Sequence, residues 1–334
     1  MSEKELSAAE AELYDRQIRL WGIESQSRLR AANVLLIGIR GLGSEIAKNI
    51  LLSGINSLTI LDEGVVTENE LLQNFLLNRD SIGQKIAEAV LSKAQALNPL
   101  VKITTDTSPL SEKTSAFYKD FTIIVATGLT TKQLIEIDSI CRDFNVQFIC
   151  GDVFGMFGYS LSDFQMHEYY VDQIRLPNRK RAHDGKASTS SEVITEKIQA
   201  KLNYPSINDA LLNADSSAKG RRKRGLQLYY LMKLLIQFRD KNGRNPSVSS
   251  KDDDLAQMKA IRNEYLQDYQ IKEENFKADV LNLVFGEITP ICSIVGGVVA
   301  QEVIKAVSHK EAPIHNIFLL NPYTFSGKEE MVGA

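Results

Sequence analysis

An apolar run, Val34-Leu35-Leu36-Ile37, feeds a glycine-rich turn, Gly38-Ile39-Arg40-Gly41-Leu42-Gly43, and then a helical segment over residues 44–53. A buried strand, a tight turn and a helix in that order begin a nucleotide-binding α/β sheet. Phosphates sit at such turns on free backbone N–H groups at the helix N-terminus. The second glycine of the turn lets the backbone approach the phosphate closely. Here that position is Arg40, a long side chain. The chain therefore has the fold signal of a nucleotide-binding protein and a poor pocket of its own.

The rest of the first half repeats the alternation. In the helix at 44–53, Ile46, Ala47, Ile50 and Leu51 share a face, and Gly54 follows as a stop. Further strands are expected at 58–61, 101–104, 121–126 and 147–150, with helices at 81–97 and 131–144 between them. Strands separated by helices imply a mainly parallel sheet covered on both faces. Before it, Ser7 and Glu10 have capping-box spacing for a helix that carries residues 14–21 and stops at Gly22, and a second short helix is expected at about 24–32.

After about residue 165 the pattern changes. Residues 178–192 have almost no large apolar groups and read as a flexible loop. Helices are expected near 196–202, 226–238, 255–269 and 274–285, then a closing helix at 291–307 and an apolar strand at 317–320. The division is a first part over 1–165, a helical insertion over 166–279 and a return over 280–334. The apolar run 291–300 is too short to span a bilayer, and the polar start, Met1-Ser2-Glu3-Lys4-Glu5, is no secretory signal.

A net charge of −3 argues against an overall basic field for nucleic acid. Cys141, Cys150 and Cys292 are scattered, which excludes a disulfide framework or zinc ribbon and favours packing over reactivity. His167, His183, His309 and His315 show no metal spacing. Asp62 ends the second strand about 20 residues beyond the glycines, the place of a ribose-binding carboxylate. The loop and Asp62 together fit either a dinucleotide-dependent oxidoreductase or a relict pocket. For the basic runs 179–181 and 221–224, solvated surface and, for Arg179-Lys180-Arg181, a nuclear-import signal both stay open.

Three separated stretches narrow the reading. Tyr14-Asp15-Arg16-Gln17-Ile18-Arg19-Leu20-Trp21-Gly22 resembles the opening signature of the ubiquitin-like-protein activating enzymes. The stretch from Pro290 to Lys305, with Gly296-Gly297, resembles that family's closing adenylation-domain helix. Between them lie the glycine loop, Asp62 and Gly151-Asp152-Val153-Phe154-Gly155, in the family's order. The resemblance covers about residues 10–165 and 280–325, and it implies a Rossmann-like, ThiF/MoeB-type adenylation fold in which two adenylation domains pair.

The resemblance also implies which half this is. An active half carries a further glycine where Arg40 stands and an N-x-N-R-Q-F segment where Glu70-Leu71-Leu72-Gln73-Asn74-Phe75 stands. It carries a lysine near Ile86 (Lys85 is adjacent) and a magnesium-binding aspartate in the stretch Ala126-Thr127-Gly128-Leu129. Losing those groups cripples a catalysis that is largely electrostatic. Gly38, Arg40, Gly41, Gly43 and Asp62 are then vestigial, and no cofactor is expected on this chain alone. In this family an arginine of the N-terminal helix reaches ATP bound by the other half; the matching residue is Arg16, with Arg19 a weaker candidate. The short insertion is similar to that of the smaller, non-catalytic halves of SUMO-activating enzymes. That implies a larger catalytic partner holding ATP and Mg2+, access to SUMO through the complex, and residence in the nucleus with some cytoplasm. A self-sufficient homodimeric adenylating enzyme and a nicotinamide-dependent oxidoreductase are the alternatives.

Overall fold

The computed structural model describes residues 8–175, 194–213 and 227–333. The loop at 178–192, His183 and the basic runs at 179–181 and 221–224 lie outside the described residues. Three short helices open the chain: α1 (Ala8–Leu13), α2 (Asp15–Trp21) and α3 (Ile23–Leu29). Then come β1 (Asn33–Ile37), α4 (Gly41–Ser53), β2 (Ser57–Leu61), α5 (Glu68–Gln73), α6 (Ile86–Ala89), α7 (Leu91–Leu97) and β3 (Lys102–Asp106). α8 (Ser115–Tyr118), β4 (Ile123–Thr127), α9 (Thr131–Phe144), β5 (Gln147–Phe154) and β6 (Phe157–Asp163) complete the first part. β7 (Met166–Arg175), β8 (Ile194–Asn203), α10 (Gln227–Asn242), α11 (Lys251–Asp268), α12 (Thr289–Ser308), β9 (Ile317–Leu320) and β10 (Gly327–Glu330) follow.

β1 to β5 are parallel in the doubly wound order β3-β2-β1-β4-β5, and β6, β9 and β10 extend the sheet antiparallel beyond β5. Side chains alternate across a strand, so both faces of β1 are buried, which is why it reads as an unbroken apolar run. Val34 and Leu36 join a core with α4, α6, α7 and α12, while Leu35 and Ile37 join one with α9, α10 and α11. The helices of the insertion thus share the sheet's own core through Leu231, Leu235, Phe238 and Met258.

α12 is long and apolar enough to cross a membrane by length and composition, and it is mostly buried inside this fold. Its Gly296 lets it pack on α4, because a Cβ there would lie 2.8 Å from Glu45 Cβ. A Cβ on Gly297 would meet nothing within 4 Å. One glycine of the pair serves the chain's own core and the other faces open space.

Three expectations need correction. Residues 196–202 form part of strand β8, paired with β7 in a two-stranded sheet, instead of a helix. Ile198, Ala200 and Leu202 alternate with Lys197, Gln199 and Lys201, and Lys201 pairs with Glu168 at 2.5 Å across the ladder. The single helix expected at 81–97 is two, α6 and α7, after a turn at Gly83 (φ +84°). There the chain pairs back onto Val66, whose N–H donates to the Gln84 carbonyl and whose carbonyl accepts from Gly83 N–H. At 274–285 the chain forms 3-10 turns, Glu273–Asn275 and Ala278–Leu283, in place of an α-helix.

Candidate functional site

Much of the glycine loop is engaged with its own chain. Asp62 Oδ2 accepts from Ile39 N–H at 2.9 Å and Oδ1 from Gly64 N–H at 2.8 Å. Asn74, buried, donates to the Ile39 carbonyl at 2.6 Å. Thr127 Oγ1 donates to the Gly38 carbonyl at 3.1 Å. Gly43 must be glycine, since a Cβ there would stand 2.0 Å from the Gly38 carbonyl oxygen. Arg40 is the N-cap of α4 without a side-chain capping bond. Its side chain, 55% exposed, pairs with Glu70 at 3.5 Å, while Glu70 also closes the capping box of α5 with Thr67. The residues at the expected lysine position are occupied too: Ile86 is core, and Lys85 Nζ donates to the Glu63 carbonyl at 2.7 Å.

A residue from the far end of the sequence completes this site. Glu287 Oε2 accepts from Leu42 N–H, in the first turn of α4, at 3.3 Å. Nearby, Asp152 on β5 accepts from Gly128 N–H at 2.8 Å, from Tyr159 OH at 3.1 Å and from Arg239 Nη1 at 2.8 Å. Arg239, from α10, is buried; its Nη1 also donates to the Leu129 carbonyl, its Nε donates to Asn245 Oδ1, and its Nη2 has no hydrogen-bond partner. Burial, and then the Asp152 charge, push the Glu287 carboxyl up to about 7, against the pull of Leu42 N–H, Arg40 and Arg239.

A magnesium-bound triphosphate fits these residues poorly. A carboxylate stands at the helix N-terminus where a phosphate would lie, and Ala126-Thr127-Gly128-Leu129 offers no carboxylate to a metal. Neither Glu287 nor Arg239 was expected from the sequence as part of the site. Asp152 was legible only as part of a motif.

The N-terminal helices behave differently. Tyr14 is buried; its hydroxyl accepts from Asn98 Nδ2 at 2.9 Å and its ring lies under Gly54, where a Cβ would be 2.5 Å from Tyr14 Cζ. Gly54 caps α4 in the left-handed region, which favours glycine. Gln26, also buried, joins Trp21 Nε1 to the Ser53 carbonyl through bonds of 3.0 Å each, and Arg30 pairs with Glu10 at 2.7 Å. Two residues beyond the Tyr14 anchor, Arg16 is exposed and has no ion pair among the described residues. Arg19 instead pairs with Asp15 on its own helix at 3.1 Å. The structure thus separates two arginines that the sequence left side by side.

Cys141, Cys150 and Cys292 are free and buried. Burial, followed by neighbouring carboxylates (Asp138, Asp152 and Glu287 respectively), pushes each thiol above its usual range, the reverse of what a nucleophile needs. His167 stacks on His309 with centroids 5.1 Å apart, a packing role. A groove of about 1310 Å³ between the N-terminal helices and β7–β8, lined by Trp21, Arg28, Tyr170 and Lys197, does not include the glycine loop.

The model of the ThiF family matches residues 14–332. The human and Pongo abelii proteins named SUMO-activating enzyme subunit 1 are each 36% identical over 340 residues, covering 98% of this chain and 96% of theirs. The Xenopus laevis protein of that name is 34% identical over 343 residues, covering 100% of both. A crystal structure of selenomethionine PaaA, 16% identical, superposes with a TM-score of 0.57 over 99% of this chain and 76% of that one, which shows the shared fold. The open-sheet architecture, the glycine loop and the full-length match agree: the chain belongs to the ThiF family, in company with the SUMO-activating enzyme subunit 1 proteins.

Proposed function

We propose that this chain is the smaller, non-catalytic subunit of a heterodimeric SUMO-activating enzyme and is inactive alone. Its larger partner holds ATP and Mg2+, adenylates the SUMO C-terminus and captures it as a thioester on a cysteine of its own. This chain completes the dimer and presents Arg16 to the terminal phosphate of the partner's ATP. The names of the full-length relatives support the modifier and the two-subunit arrangement.

The observation that carries the role of Arg16 is its state: exposed and without an ion pair among the described residues, on a helix whose start is anchored by the buried Tyr14. A planar, permanently charged fork suits phosphate oxygens. Arg19, held by Asp15, has the weaker claim. Nuclear residence with a cytoplasmic fraction is part of the proposal, supported by the run Arg179-Lys180-Arg181; alanine at those three positions should shift a fluorescent fusion toward the cytoplasm.

ATP–pyrophosphate exchange tests the division of labour. The chain alone should show none, and exchange should appear on adding the larger subunit and SUMO. Exchange by the chain alone would instead favour the homodimeric adenylating enzyme, and saturable nicotinamide-cofactor binding would favour the oxidoreductase.

A further inference from the structure

The first N–H groups of α4 have no acceptor within their own helix, and the aligned peptide dipoles favour an anion beside them. In this chain a carboxyl side chain is already there. We propose that the Glu287 carboxyl group is a built-in ligand: it occupies the phosphate position of its own chain's glycine loop and closes that loop to nucleotide. The inference rests on this chain's residues alone and is independent of the pairing proposed above.

Gly41 sets how closely the carboxyl group approaches the loop. It is not among the glycines with positive φ, so the backbone there does not demand glycine. Space does. A Cβ on Gly41 would stand 2.5 Å from Glu287 Oε2, with Gln73 Cβ at 3.2 Å and Cys292 Sγ at 3.3 Å. The glycine that ordinarily admits a phosphate admits a carboxylate.

The carboxylate is also held from behind. Glu287 bridges to Gly155 at the β5–β6 turn. On either side, Gly155 N–H donates to the Gly286 carbonyl at 2.6 Å and Met156 N–H to the Leu283 carbonyl at 2.7 Å. The next residue, Ile288, is the N-cap of α12. A side chain tethered this way competes as an intramolecular group, without the translational entropy that a free phosphate loses on binding. Cys292 Sγ lies 3.9 Å from the same oxygen. An incoming phosphate would have to evict Glu287 and then sit beside Asp152. The loop is therefore filled, which goes beyond the loss of the groups that bind nucleotide, and restoring those groups would not reopen it.

A double-variant cycle tests the occupancy directly. In the full chain, Gly41→Ala should lower Tm by about 3–6 °C, because the new methyl group expels the carboxylate. In a Glu287→Ala background the same substitution should cost less than about 2 °C. Equal losses in both backgrounds would overturn the proposal. Should Glu287→Ala fold poorly, Glu287→Gln fills the same space, and Gly41→Ala should keep its full cost there; a vanished cost would contradict the steric fit. Inorganic phosphate at constant ionic strength gives the second readout. It should raise the Tm of Glu287→Ala saturably and leave the wild type unmoved. Identical phosphate responses in the two proteins would show that the carboxylate does not guard the position.

Discussion

Two regions of this molecule hold the residues that the sequence singled out, and they differ in how many of their polar groups are already paired. At the glycine loop many polar groups are satisfied internally: Asp62 by two amides, Asn74 and Thr127 by loop carbonyls, Arg40 by Glu70, Leu42 N–H by Glu287. On α2 the backbone is anchored through Tyr14, and Arg16 is left with no ion pair among the described residues. A site whose donors are spoken for contributes to stability, and a charge held in place without a partner is available to another molecule. Substitutions in the loop region should therefore cost stability, and substitutions at the exposed arginine should cost activity in the assembled enzyme.

The largest effect should follow from breaking the buried pair beneath the loop. Asp152→Ala leaves the buried Arg239 charge without its carboxylate, Nη1 keeping only the Leu129 carbonyl, and should destabilise by about 3–5 kcal/mol, read by urea unfolding. Near-normal stability would mean that this side of the site is not built into the core.

That pair also shows where the sequence stops being legible. Parallel strands buried on both faces announce themselves as apolar runs, so β1, β2, β4 and the loop into α4 could be read directly. Residues 196–202 could not, because Ile198 and Leu202 are spaced for a helix face while Lys197, Gln199 and Lys201 alternate for a strand, and pairing with β7 decides. The late start of α6 follows from Gly83 pairing with Val66, a tertiary contact. Glu287 acts on Leu42 from 245 residues away, and no local pattern marks it. The family resemblance already favours Arg16 over Arg19, and the 3.1 Å pair of Arg19 with Asp15 adds a physical difference.

A middling effect is expected at the anchor of α2. Gly54→Ala forces a methyl group against the Tyr14 ring and an unfavourable positive φ, at a cost of about 2 kcal/mol. Because α2 is displaced, exchange in the complex should fall as well. A stability loss with full activity would show that Arg16 does not depend on this anchor.

A smaller effect should appear in the pH dependence. Burial, then the neighbouring Asp152, raises the Glu287 carboxyl from 4.5 to about 7. Between those values the folded chain holds a proton that the unfolded chain has released. The stability contributed by this group is therefore complete below pH 4.5 and is lost as the pH rises through about 7. Glu287→Gln should flatten that part of the curve without abolishing it, since Asp138, raised to about 8 by burial and by Asp163, has the same sign. An unaltered slope would place the Glu287 titration elsewhere.

The smallest effect should come from Arg40→Gly. It restores the glycine that nucleotide loops carry, yet should change stability by less than about 0.5 kcal/mol and confer no ATP binding, because the Glu287 carboxylate remains at α4. Measurable ATP binding by that variant would make Arg40 the barrier instead of Glu287.

The most direct test of the whole account is ATP–pyrophosphate exchange by the assembled heterodimer carrying Arg16→Ala, with Arg19→Ala alongside and the Tm of each measured. The account predicts a fall of about tenfold or more for Arg16→Ala, a smaller one for Arg19→Ala, and an unchanged Tm for both. An exchange rate for Arg16→Ala equal to that of the unmodified complex would contradict it and leave this chain a scaffold.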